Sequence, residues 1–208
     1  MPDTNDNKGV PVVLEAVSRI STHYVSNSLP QPHTGKAIKA IFLGADPGTV
    51  NSQRFTYVFK LEDGESSKYF RQFVPSLRAI SLTADNLFVQ NLCRNYFDCD
   101  TLSHKKDWLQ CAVQWMPILK EELDQLNPNQ HLPVLVSAYV ILEALCKSPC
   151  KEPQFYYANR VLIRKNQNLL GRTLIPFFRG GMGKYDLGKA KWSLYSKKIA
   201  NYLTEDFA

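Results

Sequence analysis

A single aspartate stands where an apolar segment of the chain breaks into a turn. Residues 37–43 are apolar except for Lys39, and the next five residues are Gly44, Ala45, Asp46, Pro47 and Gly48. Turns favour Asp and Pro at their start and Gly near their end, so turn formation alone is one explanation of Asp46. The other is chemical, because a carboxylate at the tip of a buried strand can stabilise positive charge or orient an attacking water.

A second polar residue ends a similar segment. Residues 86–91 include a short apolar run and close on Asn91. An Asn after a strand commonly closes a turn or caps a helix. Its amide also presents one acceptor and two donors, which is enough to read the edge of a ligand. Asp46 and Asn91 together indicate two polar side chains at one edge of a sheet.

A basic, glycine-rich segment lies near the carboxyl-terminal end. It reads Arg179, Gly180, Gly181, Met182, Gly183 and Lys184. Glycines let the backbone approach phosphates, flanking Arg and Lys contact them, and Met182 fits the role of an apolar wedge that fills a vacated base stack. The alternative is a flexible surface turn before the last helix.

The order of these residues resembles the uracil-DNA glycosylase superfamily. That family has a strand followed by Gly-x-Asp-Pro, matched by residues 44–47, and then a strand ending in Asn, matched by residues 88–92. The similarity of order runs from around residue 37 to residue 203. It implies an enzyme without metal or cofactor that hydrolyses the N-glycosidic bond of uracil, or a related damaged base, flipped out of single- or double-stranded DNA.

The resemblance also implies roles for single residues. Asn91 would pair with N3–H and O4 of uracil, and Asp46 would stabilise the positive sugar and orient or deprotonate the attacking water. Phe59, twelve residues beyond Pro47, would stack on the base, with Phe55 as its rival and plain core packing as the alternative. The substrate-binding residues would be Gly44, Ala45, Pro47, Phe59, Phe55 and Asn91.

The chain departs from the family where a histidine normally supplies a donor to the departing base. The corresponding residues 173–182 contain no histidine, and the last histidine of the chain is His131. Either Arg179 or a backbone N–H of Gly180 or Gly181 supplies the donor, or much catalytic power is lost. Loss of one such donor costs about 10²–10³ in rate. The alternative function is therefore a catalytically weak or inactive protein on the same fold that binds nucleic acid or a partner.

Alternating segments predict the scaffold that positions these residues. Apolar periodicity predicts helices over 10–26, 72–82, 106–126, 138–146 and 188–203, and short apolar runs predict strands over 37–43, 86–91, 133–137 and 173–177, with 53–61 extended or a structured loop. The three tryptophans, Trp108, Trp115 and Trp192, are assigned to core packing. The expected fold is a three-layer α/β/α domain with a mainly parallel four-stranded central sheet, whose ligand site lies at the carboxyl ends of the strands.

Composition narrows the class further. The 208 residues predict one domain over 9–208 after a loose leader of residues 1–8, and no apolar run approaches the roughly 20 residues of a membrane span. The net charge is +6, and ten Lys or Arg against three acids lie in residues 160–208. This basic end predicts a docking surface for a polyanion, or else a solvated, lysine-rich helix face.

The cysteines, the histidines and the absence of two motifs exclude further kinds of site. Five cysteines without a CxxC pair predict reduced thiols, and the four histidines show no metal-ligand spacing, so we expect no metal. The chain also lacks a Gly-x-Ser-x-Gly elbow and a phosphate-binding Gly-x-x-x-x-Gly-Lys-Ser/Thr loop. We expect a cytoplasmic monomer whose partner is DNA and which does not bind membranes.

Overall fold

The centre of the chain is a mixed five-stranded β-sheet. The computed structural model describes residues 9–26, 28–48, 55–178 and 188–205. The strands, in chain order, are β1 Tyr24–Val25, β2 His33–Thr34, β3 Ala40–Gly44, β4 Leu87–Asn91, β5 Tyr96–Phe97, β6 Val134–Val136 and β7 Leu174–Pro176. The main sheet has the order β2-β4-β3-β6-β7, and β1 pairs with β5 in a separate antiparallel ribbon. The α/β fold with a mostly parallel sheet is therefore confirmed.

The sequence prediction of four strands was wrong by one. β4, β3, β6 and β7 are parallel, whereas β2 adds to the outer side of β4 in the antiparallel direction. β2 has only two residues, His33 and Thr34, and neither is fully buried. An edge strand this short carries no apolar run, so hydrophobic periodicity could not reveal it.

Six α-helices surround these strands in the described part of the chain. They are α1 Val10–Ile20, α2 Val74–Arg78, α3 Lys105–Leu126, α4 Tyr139–Leu145, α5 Pro153–Ala158 and α6 Gly188–Glu205. The predicted helices over 10–26 and 72–82 are too long. Residues 24–25 form β1 instead. Residues 53–61 were predicted to be extended or a structured loop; residues 53 and 54 lie outside the described residues, and the 3-10 segment Val58–Ser66 begins within the rest. None of the described helices is long and apolar enough to cross a membrane.

The inner strands form because both of their faces are covered. Every residue of β3 and β4 is buried, and β3 pairs with β4 on one side and β6 on the other. Parallel strands in such a position read as continuous apolar runs, which is why residues 37–43 and 86–91 were recognisable. The buried side chains form one cluster that extends from Val17 to Leu203. All five cysteines are free thiols.

A buried arginine connects the end of α3 to the start of β7. Arg172 is fully buried, and its Nη2 donates to the carbonyl oxygens of Leu123 at 2.6 Å and Asn127 at 2.9 Å. Nη2 also donates to Asp124 Oδ1 at 3.0 Å, and Nη1 donates to Asn127 Oδ1 at 3.0 Å. The guanidinium thus adds a donor at the carboxyl-terminal end of α3, where Leu123 O also accepts from Asn127 N at 3.0 Å.

Candidate functional site

The two polar residues predicted at the sheet edge are neighbours. Gly44, the last residue of β3, is aligned with Asn91, the last residue of β4. The pairing continues beyond the strands, since Leu92 N donates to Gly44 O at 2.8 Å and Cys93 N donates to Ala45 O at 2.9 Å. The sheet therefore fixes the backbone immediately before Asp46 and on both sides of Asn91.

Asp46 is held by three hydrogen-bond donors. Gly48 N donates to Oδ1 at 2.8 Å, as expected where an aspartate closes its own turn. The other oxygen, Oδ2, accepts from Thr101 Oγ1 at 2.5 Å and from Trp108 Nε1 at 2.9 Å. The turn interpretation of Asp46 is thus correct for one oxygen, while two distant side chains orient the other.

Burial and hydrogen bonding act on Asp46 in opposite directions. Burial raises the pKa of the carboxyl above its ordinary value, because the charged form loses its hydration. The hydrogen bonds from Thr101, Gly48 and Trp108 and the proximity of His104 lower the pKa and offset part of this effect. Since the net shift is upward, Asp46 accepts a proton more readily than a solvated aspartate does.

Asn91 presents an amide that no described residue satisfies. The side chain is 1 % exposed, yet neither Oδ1 nor Nδ2 has a hydrogen-bond partner within the described ranges. A methyl group placed on Gly44 would lie 2.2 Å from Asn91 Oδ1 and 2.6 Å from Phe59 Cε2 and Cζ. The amide and the phenyl ring therefore crowd the same point beside Gly44, where only a glycine leaves room.

Phe59 occupies this position through an unusual backbone conformation. Phe59 and the next residue, Lys60, both have φ near +57°, at 57° and 56°, in the left-handed region that non-glycine residues rarely adopt. Ser67 Oγ donates to Phe59 O at 2.5 Å and helps to hold this turn. The ring makes an edge contact with Phe42 of β3. Strain of this kind is often found where a side chain must be presented to a ligand.

Phe55 lies in a different environment from its rival Phe59. It is buried and packs on the rings of Tyr69 and Tyr96, with ring centroids 4.8 and 6.3 Å apart. Its backbone N donates to the Tyr96 hydroxyl at 3.1 Å. Of the two phenylalanines, Phe59 is the one beside Asn91, and its ring also makes edge contacts with three phenylalanines of the core.

A cleft of about 890 Å³ opens at the same edge of the sheet. Its lining includes Ala45 after β3, Ser137 and Tyr139 after β6, and Phe178 after β7. Thr101, which bonds to Asp46, also lines it. The charged residues of the lining are Asp100, Lys105, Glu143 and Glu152, and Lys105 is paired with Glu143 at 2.8 Å. The described wall of the cleft is thus more acidic than basic.

Two hydroxyl groups of the cleft lining differ in whether they can donate to a ligand. Ser137 Oγ donates to Leu43 O at 2.8 Å and so is engaged within the sheet. Burial, with Glu143 nearby, raises the pKa of Tyr139 to about 12. The Tyr139 hydroxyl therefore keeps its proton at neutral pH and can donate it in a hydrogen bond to a ligand in the cleft.

The structure adds to the predicted site and leaves part of it outside the described residues. Trp108, assigned to the core, is indeed fully buried, but its indole N–H also serves Asp46, so core packing alone was an incomplete assignment. Thr101 was not predicted, because it lies 55 residues from Asp46 in a loop without a motif. The predicted DNA contacts Arg179, Gly180, Gly181, Met182 and Lys184 fall in 179–187, outside the described residues.

The site shows a carboxylate, an unsatisfied amide and an aromatic ring on one sheet edge. A comparison with models of protein families found no match for this chain, and a comparison with curated proteins found none either.

Proposed function

We propose that this chain is a DNA glycosylase of the uracil-DNA glycosylase type. In this proposal it hydrolyses the N-glycosidic bond of uracil, or of a related damaged base, after the nucleotide has been flipped out of DNA. The proposal includes the three-layer α/β/α form of the α/β fold that such enzymes share. It is supported by the geometry of the site and by the order of the Gly-x-Asp-Pro and Asn motifs.

The unsatisfied amide of Asn91 is the observation that carries the proposal. Leaving a buried amide unpaired costs about 1–3 kcal/mol, so a ligand that pairs with it regains that free energy on binding. Both amide atoms of Asn91 lack partners among the described residues, and a uracil edge offers one donor and one acceptor in the complementary arrangement. The Phe59 ring beside Gly44 provides the apolar surface that a planar base requires.

Asp46 has the position and the protonation behaviour that this chemistry requires. Cleavage of the bond develops positive charge on the sugar, which a nearby carboxylate stabilises. Thr101, Trp108 and Gly48 N–H orient both oxygens, so the carboxylate does not have to reorganise during the reaction. Its raised pKa also suits the transfer of a proton from the attacking water.

The base leaves as an anion and needs a hydrogen-bond donor. The sequence prediction assigns this role to Arg179 or to a backbone N–H of Gly180 or Gly181, and it remains a prediction. The Tyr139 hydroxyl is a further donor on the cleft wall. If none of these groups donates to the departing base, we expect turnover about 10²–10³ slower than in a site with a full set of donors.

The decisive experiment is a cleavage assay at stoichiometric protein. A labelled oligonucleotide with one uracil, single-stranded or in a duplex, is incubated with the full chain and then treated with alkali, which breaks the strand at an abasic site. We expect strand breakage that falls at least about tenfold in Asp46→Asn. Asp107→Asn, which changes a carboxylate on α3 outside this hydrogen-bond set, is the matched control and should retain activity. Absence of any break at stoichiometric protein would refute the enzymatic proposal.

A binding protein on the same fold is the second candidate, and the lack of a histidine in residues 173–182 favours it. In that case the protein binds DNA but leaves the bond intact. The two candidates separate in one experiment, because a uracil oligonucleotide would be retained in a gel-shift assay while alkali treatment gives no break. Asn91→Ala should then weaken binding to uracil-containing DNA without changing binding to a thymine control.

A further inference from the structure

A second group of polar side chains lies outside the proposed base pocket. His23 follows α1, and Asp98 and Cys99 follow β5. Among the described residues these three can each direct one ligand atom to a common region, with all three atoms within 4.8 Å of one another. The sequence did not indicate this group, because His23 and Asp98 are 75 residues apart in the chain.

The backbone, rather than the side chains alone, brings the group together. β1 and β5 pair antiparallel, with Tyr24 opposite Phe97. Asp98 N also donates to His23 O at 2.9 Å, which extends the ribbon by one step. The positions of His23 and Asp98 are therefore fixed to each other by strand pairing.

The three atoms that could bind a metal ion are an imidazole nitrogen, a carboxylate oxygen and a sulfur. This mixed set is typical of Zn²⁺, whereas Mg²⁺ and Ca²⁺ prefer oxygen alone. His23 Nδ1 lies 2.7 Å from Asp98 Oδ1. Imidazole and carboxylate are thus already at hydrogen-bond distance, and a cation between them would replace the shared proton.

A buried histidine, His104, contacts the Cys99 sulfur. His104 Nδ1 lies 3.0 Å from Cys99 Sγ and 3.1 Å from Asp100 O. A backbone carbonyl can only accept, so Nδ1 carries a proton, and the same N–H points to the sulfur. Such a donor stabilises a metal-bound thiolate and fixes its orientation. The His23 and Asp98 side chains are 39 % and 58 % exposed, which leaves a path for an ion and a water from solvent.

We propose that His23, Asp98 and Cys99 form a three-ligand site for a zinc-type divalent cation, with water as the fourth ligand. His23 binds through Nδ1 in the tautomer that carries its proton on Nε2. Binding forms a bond from Cys99 Sγ to the metal and releases the thiol proton to solvent, with no change in oxidation state. The site would connect the end of α1 to the loop that carries Thr101, the partner of Asp46.

A cobalt titration of the full chain tests this site without reference to glycosylase activity. Co²⁺ is added to the reduced, metal-free protein in a buffer with a non-chelating phosphine reductant. We expect a thiolate-to-cobalt charge-transfer band in the near ultraviolet that saturates at about one equivalent and disappears when Zn²⁺ is added. Absence of the band in the unmodified chain would overturn the proposal.

Variants assign the band to its ligands. Cys99→Ser should abolish the band. A double variant, Cys146→Ser with Cys150→Ser, removes two thiols that lie close together in the chain and are not part of the proposed site, and it should retain the band. A band that survives in Cys99→Ser refutes the site. His23→Gln, on an exposed turn where folding is least at risk, should weaken cobalt affinity at least about tenfold. Unchanged affinity in His23→Gln, with an unchanged far-ultraviolet circular dichroism spectrum, also refutes it.

Discussion

At the scale of single residues, the state of Asp46 depends on the donors around it. Burial favours the protonated form, and the N–H and O–H groups of Gly48, Thr101 and Trp108 favour the carboxylate. The proposed chemistry requires the carboxylate, so activity should fall as the pH falls through the pKa of Asp46. Because that pKa is raised, the acid limb of the pH–rate profile should lie above the ordinary value for aspartate.

Removal of one hydrogen-bond donor to Asp46 should move the acid limb of the pH–rate profile. Trp108→Phe keeps most of the buried ring but deletes the N–H that lies 2.9 Å from Asp46 Oδ2. Since that hydrogen bond lowers the pKa of Asp46, its loss should raise the pKa further and shift the acid limb of kcat/KM to higher pH. We also expect a loss of about 1–3 kcal/mol in the free energy of unfolding, because a charged acceptor loses a partner.

Trp115→Phe separates the two effects. The Trp115 indole donates to Asn95 Oδ1 at 2.8 Å and has no contact with Asp46, so its removal should cost stability without moving the acid limb. The measurements are pH–rate profiles of uracil release and denaturant unfolding for both variants. An equal shift of the acid limb in both, or in neither, would contradict the assigned role of Trp108.

The site residues that the sequence could predict are polar residues that directly follow an apolar strand or end it. Asp46 and Asn91 follow apolar runs, and parallel strands bring their ends to one edge, so both could be placed without a structure. Thr101 and Trp108 could not, because one lies in an irregular loop and the other is part of a helical apolar stripe. The cluster of His23, Asp98 and Cys99 depends on the pairing of two two-residue strands, which have no periodicity to detect.

At the scale of elements, the connection between α3 and β7 rests on Arg172. Long, strongly periodic elements such as α3 were predicted within a few residues, whereas α5 and β2 were missed because they are short. Nothing in the pattern of residues around Arg172 predicts an arginine in the core. Its burial is tolerated because four hydrogen bonds, one of them to Asp124, engage both Nη atoms, while Nε has no partner among the described residues.

Arg172→Lys should therefore behave as a severe substitution. A lysine keeps the charge but cannot reproduce the fork that reaches Leu123 O, Asn127 O and Asp124 together. We expect a loss of about 2–4 kcal/mol in the free energy of unfolding, measured by chemical denaturation. Arg19→Lys, at an exposed ion pair with Glu15 on α1, is the control and should change stability by less than about 0.5 kcal/mol.

The ion pair between Arg172 and Asp124 should also make the stability of the protein depend on pH. Burial opposes ionisation of Asp124, but Lys120 and Arg172 hold its pKa below the ordinary value. The stability that this pairing contributes is complete above the unfolded-state pKa of aspartate and is lost as the pH falls through the lower, folded-state pKa. The loss on acidification should be smaller in Arg172→Lys if the guanidinium geometry is what favours the carboxylate.

At the scale of the whole molecule, charge is divided between the cleft and the carboxyl-terminal end. The described cleft wall carries Asp100, Glu143 and Glu152 against Lys105, which disfavours phosphates there. Residues 160–208 hold ten Lys or Arg against three acids. If the protein binds DNA as proposed, the phosphates should lie on the basic end, while only the uncharged base enters the cleft.

Salt dependence of binding tests this division. Lys191, Lys197 and Lys198 are exposed on α6, and their joint replacement by Gln should reduce the slope of log K against log salt by about 2 to 3 if all three contact phosphates. The matched control replaces Lys36, Lys39 and Lys68 by Gln. These lysines are also exposed, and their replacement removes the same charge. Equal slopes for the two triple variants would show that net charge alone, and not the position of α6, determines binding.

The central position of β3 has a consequence for the order of folding. Its backbone groups pair with β4 and β6, both of which follow much later in the chain. Contacts between distant segments form slowly and only after the intervening chain has been synthesised. We therefore expect a nascent chain that ends before β6 to lack an oriented Asp46. Competence for the proposed reaction would appear late, when the last strands have been added to the sheet.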